Sequence, residues 1–130
     1  MELVETAITV RGGVRAILRM EGAALAFAAI AAYAHLGGRW PLFAVLILAP
    51  DLSFLGYLAG ARVGAAAYNA AHSTVAPILF GAFGAMLGHP LAILIALIWI
   101  AHVGFDRAMG YGLKYASGFR NTHLGLIGRK

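Results

Sequence analysis

Asp51, His72, His102 and Asp106 carry the side chains most able to bind a metal or move a proton, and each lies inside a mostly apolar run. Two imidazoles and two carboxylates form a nitrogen/oxygen ligand set suited to Zn, Mn, Fe or Cu. A divalent ion would offset the carboxylate charges and lower the pKa of a coordinated water, the chemistry of a hydrolase. His102 and Asp106 are spaced i, i+4, so a helix presents both on one face. Tyr68, Asn69 and His72 share a second such face.

The runs that hold these residues decide how unusual they are. The chain has 130 residues, of which 62% are hydrophobic and 12% charged. A soluble domain has about 45–50% apolar and about 25% charged residues. The expectation is a single integral membrane domain spanning 1–130, all-α, folded as a four-helix transmembrane bundle. A span needs about 20 apolar residues, and four segments meet that length: about 14–36, 40–60, 62–87 and 90–115. Gly37-Gly38-Arg39, Gly60-Ala61-Arg62 and Gly88-His89-Pro90 break the runs. Residues 116–130 read as a cytoplasmic tail. Ala32-Tyr33-Ala34 has the look of a cleavage site, but three acids precede it and the segment reads as a retained span.

A charge at the bilayer centre costs about 2.5 kcal/mol or more, so intramembrane acids and histidines face a partner or a wet pocket. At a rise of about 1.5 Å per residue, Asp51 and His72 fall near the midplane. His102 and Asp106 fall slightly toward the cytoplasmic side, and Glu21 in the cytoplasmic half. Pro50 precedes Asp51, and Pro77 would free the carbonyl of Ser73 beside His72. Broken backbone at membrane depth is tolerated where it is buried or lines a cavity.

Of the ten basic residues, Arg11, Arg15, Arg19, Arg62, Arg107, Lys114, Arg120, Arg129 and Lys130 fall at one face of this arrangement, and Arg39 at the other. The positive-inside rule then places both termini in the cytoplasm. The absence of cysteine excludes disulfides, thiolate zinc sites, iron–sulfur clusters and cysteine nucleophiles. Ser53 and Ser73 sit in no nucleophile elbow. Phosphate loops and nucleic-acid motifs are absent, so the expected partners are the lipid bilayer and, in a homodimer or higher homo-oligomer, further copies of the chain. Gly81, Gly84 and Gly88, with Ala85, form a small-residue face that suits close helix approach, within the chain or between copies.

Around the four central residues, Asn69, Tyr68, Arg107 and His123 are candidate substrate-binding groups. Arg107 or Arg62 would orient an anionic head group, or Arg107 would snorkel toward lipid phosphate. His123 would fold back as a lid or further ligand, or simply lie at the interface. Glu21 reads as an interfacial salt bridge with Arg15 or Arg19. His35 and His89 read as solvated, and Trp99 as packed.

The strings LAPDLSFLGYLAG, YNAAHS, WIAHVGFDRAMGYGLKY and GFRNTHLGLIG resemble a bacterial membrane family catalogued as domain of unknown function 4260. The resemblance covers about Arg15–Arg129. It implies a small multi-span protein and carries no established activity; the expected location is the bacterial inner (cytoplasmic) membrane. Asp51, Asn69, His72, His102, Asp106, Arg107 and His123 occupy those strings by residue type only.

Four function classes stay open on sequence. The first is a membrane-embedded metal-dependent hydrolase with Asp51, His72, His102 and Asp106 as ligands or general base. The second is an oligomeric transporter or proton/cation conductor using the same residues. The third is a haem protein with His72 and His102 as axial ligands. The fourth is a structural protein whose polar network only fixes helix packing.

Overall fold

The computed structural model describes residues 12–115 and 121–126. The basic residues Arg11, Arg120, Arg129 and Lys130 lie outside the described residues.

The fold is helical. Its elements are α1 (Gly12–His35), α2 (Trp40–Leu46), a 3-10 helix (Ala49–Ala59), α3 (Ala61–His72), α4 (Val75–Met86) and α5 (Pro90–Ala108). A two-residue hairpin follows, β1 (Asn121–Thr122) against β2 (Gly125–Leu126). Among the described residues, three stretches are long and apolar enough to cross a membrane, Gly12–His35, Trp40–Ala59 and Pro90–Ala108, and Val75–Met86 is a shorter apolar helix.

Glycines end the helices by one device. After α1, Gly37 N–H donates to Ala34 O and Gly38 N–H to Tyr33 O. After α4, Gly88 donates to Ala85 O and His89 to Gly84 O; after α5, Gly110 donates to Arg107 O and Tyr111 to Asp106 O. Gly37, Gly88 and Gly110 all have positive φ. These are Schellman closures, which need a left-handed residue that glycine adopts without steric cost.

The last closure corrects the expected fourth span. The helix stops at Ala108 rather than continuing to residue 115, because Gly110 turns the chain back. Lys114 then bridges to Thr122, and Leu124 and Thr122 are buried. The described part of the expected tail thus folds back on the segment that follows α5.

The third span is also two helices, not one. Ser73 is extended (φ −82°, ψ 155°) and separates α3 from α4. Pro77 falls in the first turn of α4, where a missing N–H breaks no helical hydrogen bond. It therefore does not open a gap within a continuous helix. In the second span the chain changes from α to 3-10 geometry across Leu48, beside Pro50 and Asp51.

Helix α5 is the central element. Helices α1 and α4 pack on it, and α3 packs on the 3-10 helix. The α1–α5 contact is made backbone to backbone: a Cβ at Gly104 would lie 2.7 Å from both Ala26 N and Gly22 O. The glycine face of α4 also packs inside the chain, since a Cβ at Gly81 would meet Ala96 Cβ at 2.8 Å and one at Gly84 would overlap Ala92. Small residues permit this approach. Large apolar side chains such as Phe27, Val45, Leu58, Phe83 and Met86 face outward.

Candidate metal centre

Each of the four residues reaches the site from a specific local feature. Asp51 stands in the first turn of the 3-10 helix. His72 is the last residue of α3, on the buried stripe Gly64, Ala65, Tyr68 and His72. His102 and Asp106 lie one turn apart on α5, His102 within its most buried stretch. The helix break after His72 leaves carbonyls without their usual partners, and α5 supplies them. Trp99 Nε1 donates to Ala71 O, and Arg107 Nη2 donates to His72 O at 2.9 Å.

The two imidazoles are held in one tautomer. His72 Nδ1 lies 2.9 Å from Tyr68 O, and His102 Nδ1 lies against Ile47 O. A carbonyl only accepts, so both Nδ1 atoms carry hydrogen. In the neutral rings both Nε2 atoms then present lone pairs. This is the outer-shell arrangement that orients metal-binding histidines.

Those lone pairs point at each other and at two carboxylates. His72 Nε2 lies 3.1 Å from His102 Nε2, 3.2 Å from Asp51 Oδ1 and 3.4 Å from Asp106 Oδ2. His102 Nε2 lies 3.1 Å from Asp51 Oδ1 and 3.2 Å from Asp106 Oδ2. All four ligand atoms fall within 4.8 Å of one another. Ligands about 2.0–2.1 Å from a tetrahedral ion have edges of about 3.3–3.4 Å. Five edges of 3.1–3.4 Å match that figure closely. Burial is uneven: the His72 side chain is 1% exposed and that of Asp51 36%. The site is closed on the α3 and α5 side and opens past Asp51.

The same contact argues against a haem. The macrocycle would stand between two axial imidazoles, and nitrogens 3.1 Å apart leave no space for it.

The surrounding candidates take other positions. Tyr68 stacks on His72 with ring centroids 3.8 Å apart, and Phe54 stacks on Tyr68 at 5.3 Å. Asn69 does not reach the tetrad. It donates to Lys114 O at 2.8 Å and accepts from Lys114 N–H at 2.7 Å, tethering the segment after α5. Arg107 turns inward rather than toward lipid, with Nη1 on Tyr111 O as well as Nη2 on His72 O. His123 folds back, but its Nδ1 accepts from Leu113 N–H at 2.9 Å, and it is not one of the four ligand candidates. Glu21, His35 and His89 are exposed and outside the tetrad.

Sequence reasoning missed Lys114, which is 4% exposed with its ammonium 4.5 Å from the Tyr68 ring centre. Burial lowers its pKa to about 8, against an opposing effect of Asp106. It also left the capping roles of Trp99 and Arg107 unseen. Trp99 is three residues from His102, hence on the same face of α5, a signal that was present.

A family model described as a domain of unknown function (DUF4260) matches residues 15–127. No curated protein and no solved structure matches the chain. With the match covering most of its length, the chain belongs to the DUF4260 family.

Proposed function

We propose that Asp51, His72, His102 and Asp106 bind one divalent metal ion, and that the protein is a membrane-embedded metal-dependent hydrolase. The observation that carries this reading is the convergence of two Nε2 lone pairs and two carboxylate oxygens, with five of their six separations at tetrahedral spacing. Neutral imidazoles with their hydrogen on Nδ1 present no proton at Nε2, so either added protons or a cation must supply the attraction, and this reading assigns it to a metal ion. Oxygen and imidazole ligands suit Zn or Mn, and also Fe or Cu.

A divalent ion would supply Lewis acidity toward a carbonyl or phosphoryl oxygen and an activated water. The protein contributes the rest. His72, His102 and the mostly buried Asp106 fix the ligand frame. Asp51, the most exposed member, would serve as general base toward water entering on that side. The grouping of Arg15 and Arg19 around Gly110, with Arg19 Nε on Ala108 O, gathers positive charge at one end of the bundle. That clustering supports a multi-pass orientation in the inner membrane with this end cytoplasmic.

Hydrolysis is tested on carboxylic and phosphoric esters of a long-chain alcohol in mild detergent. Turnover that a chelator removes, a divalent metal restores and Asp51→Asn abolishes is the expected result. Turnover untouched by chelation removes the hydrolase reading.

One observation favours a second reading, a proton or cation conductor. The segments bearing Asp51 and His72 are both discontinuous at the site, as in carriers with midplane sites. Liposome flux abolished by Asp51→Asn supports it; unchanged flux in that variant counts against it.

A further inference from the structure

Beside the tetrad lies an apolar cleft of about 280 Å³. Its walls include Leu46, Pro50, Ser53, Ala71, Ile98 and Trp99. None of the four ligand candidates lines it, but Pro50 precedes Asp51, Ala71 precedes His72 and Ile98 lies one turn before His102, so the cleft wall and the tetrad are built from the same three segments. Its polar wall groups are already engaged. Ser53 Oγ donates to Pro50 O at 2.7 Å, and the Trp99 indole N–H donates to Ala71 O. The cleft therefore offers little to a polar molecule. An apolar cavity of about half this volume already stays dry and takes up benzene. Leu48 and Leu52, in the segment that supplies Ala49, Pro50 and Ser53 to the wall, are 66% and 69% exposed, so large apolar side chains flank that segment on the outside.

We infer that this cleft holds the hydrocarbon chain of a membrane-dissolved, single-chain amphiphile whose carboxyl or phosphoryl head lies at the tetrad. The inference deepens the hydrolase reading by naming its substrate class, and it rests on that reading only for the head group. Binding of the chain follows from the cleft itself. The uneven burial of the tetrad agrees with it, because the open side is at Asp51, the ligand that adjoins Pro50 in the cleft wall.

The cleft contains its own reporter. Trp99 lines it, whereas Trp40 clusters with Tyr33 and Phe43. Two variants, Trp40→Phe and Trp99→Phe, each leave one tryptophan. Each is placed in bilayer discs of unbrominated lipid and titrated with dodecanoic acid brominated at its terminal carbon. The expected result is saturable quenching of Trp99 at about a tenth of the probe needed to quench Trp40, a difference of about 1.4 kcal/mol. Ala49→Phe and Ile95→Phe, each made in the Trp40→Phe protein to fill the cleft, weaken that quenching about tenfold, and brominated butanoic acid gives no saturable phase. Thermal midpoints measured on the same samples show that the filled variants keep their fold.

Quenching of both tryptophans along one curve overturns the inference. So does Trp99 quenching that neither filled variant changes. The titration is repeated after chelation. Saturable Trp99 quenching in chelated or metal-free protein upholds the chain site even where the metal reading fails. Stoichiometric metal without saturable quenching upholds the metal reading and removes the chain site.

Discussion

His72 and His102 meet Nε2 to Nε2 at 3.1 Å, each with its Nδ1 hydrogen on a backbone carbonyl from another turn or segment. Two acceptors held this close, beside two carboxylates, repel unless a cation or added protons intervene. An uncompensated buried charge costs about 3–5 kcal/mol. A metal ion bound there would contribute to stability, by about 2.7 kcal/mol at 100 times the dissociation constant. Chelation should lower the thermal midpoint of the purified protein by several degrees, and a divalent ion should restore it. A midpoint indifferent to both treatments would show that no ion holds the tetrad together.

Arg107 replaces hydrogen bonds that the break after α3 removes. Its guanidinium holds His72 O and Tyr111 O, and its charge suits the negative end of α3. Arg107→Met should cost about 1–3 kcal/mol through the orphaned carbonyls and loosen His72. Denaturant unfolding and metal affinity, measured together, should both fall. A loss of neither would place the capping elsewhere.

Lys114 gives the fold a pH dependence of definite sign. Its folded pKa of about 8 lies below the ordinary lysine value of about 10.4, so between the two the unfolded chain binds more protons. Stability then rises with pH across that window: burying the ammonium costs most below pH 8, and the cost lifts as the folded group loses its proton. Thermal midpoints of the native chain should climb relative to Lys114→Met from pH 8 to pH 10. Parallel curves would contradict the burial of a titrating amine.

Much of the site was legible because charge in an apolar run is a strong signal. Asp51, His72, His102 and Asp106 stand out by residue type alone, and the i, i+4 spacing already put two of them on one face. The glycine turns at 37, 60 and 88 were equally plain, since each interrupts a long apolar run. Gly110 was not, because Tyr111–Tyr115 remains apolar enough to look like more helix. The break at Ser73 was hidden for a related reason. Ser73 and Thr74 are compatible with a helix, and although Pro77 would free the Ser73 carbonyl, the caps from Trp99 and Arg107 that favour a full stop lie across the fold. Asn69 looked like a member of the site because it shares a helical face with His72. Its amide instead meets the Lys114 backbone, a contact 45 residues distant that no local pattern carries.

The central claim is that the tetrad binds an ion, and elemental analysis tests it most directly. The protein is purified in mild detergent without chelators or a histidine tag, beside His72→Ala and His102→Ala. The account predicts about one divalent metal per chain in the native protein and its loss in both variants. Native protein without stoichiometric metal, or metal retained in both variants, would contradict it.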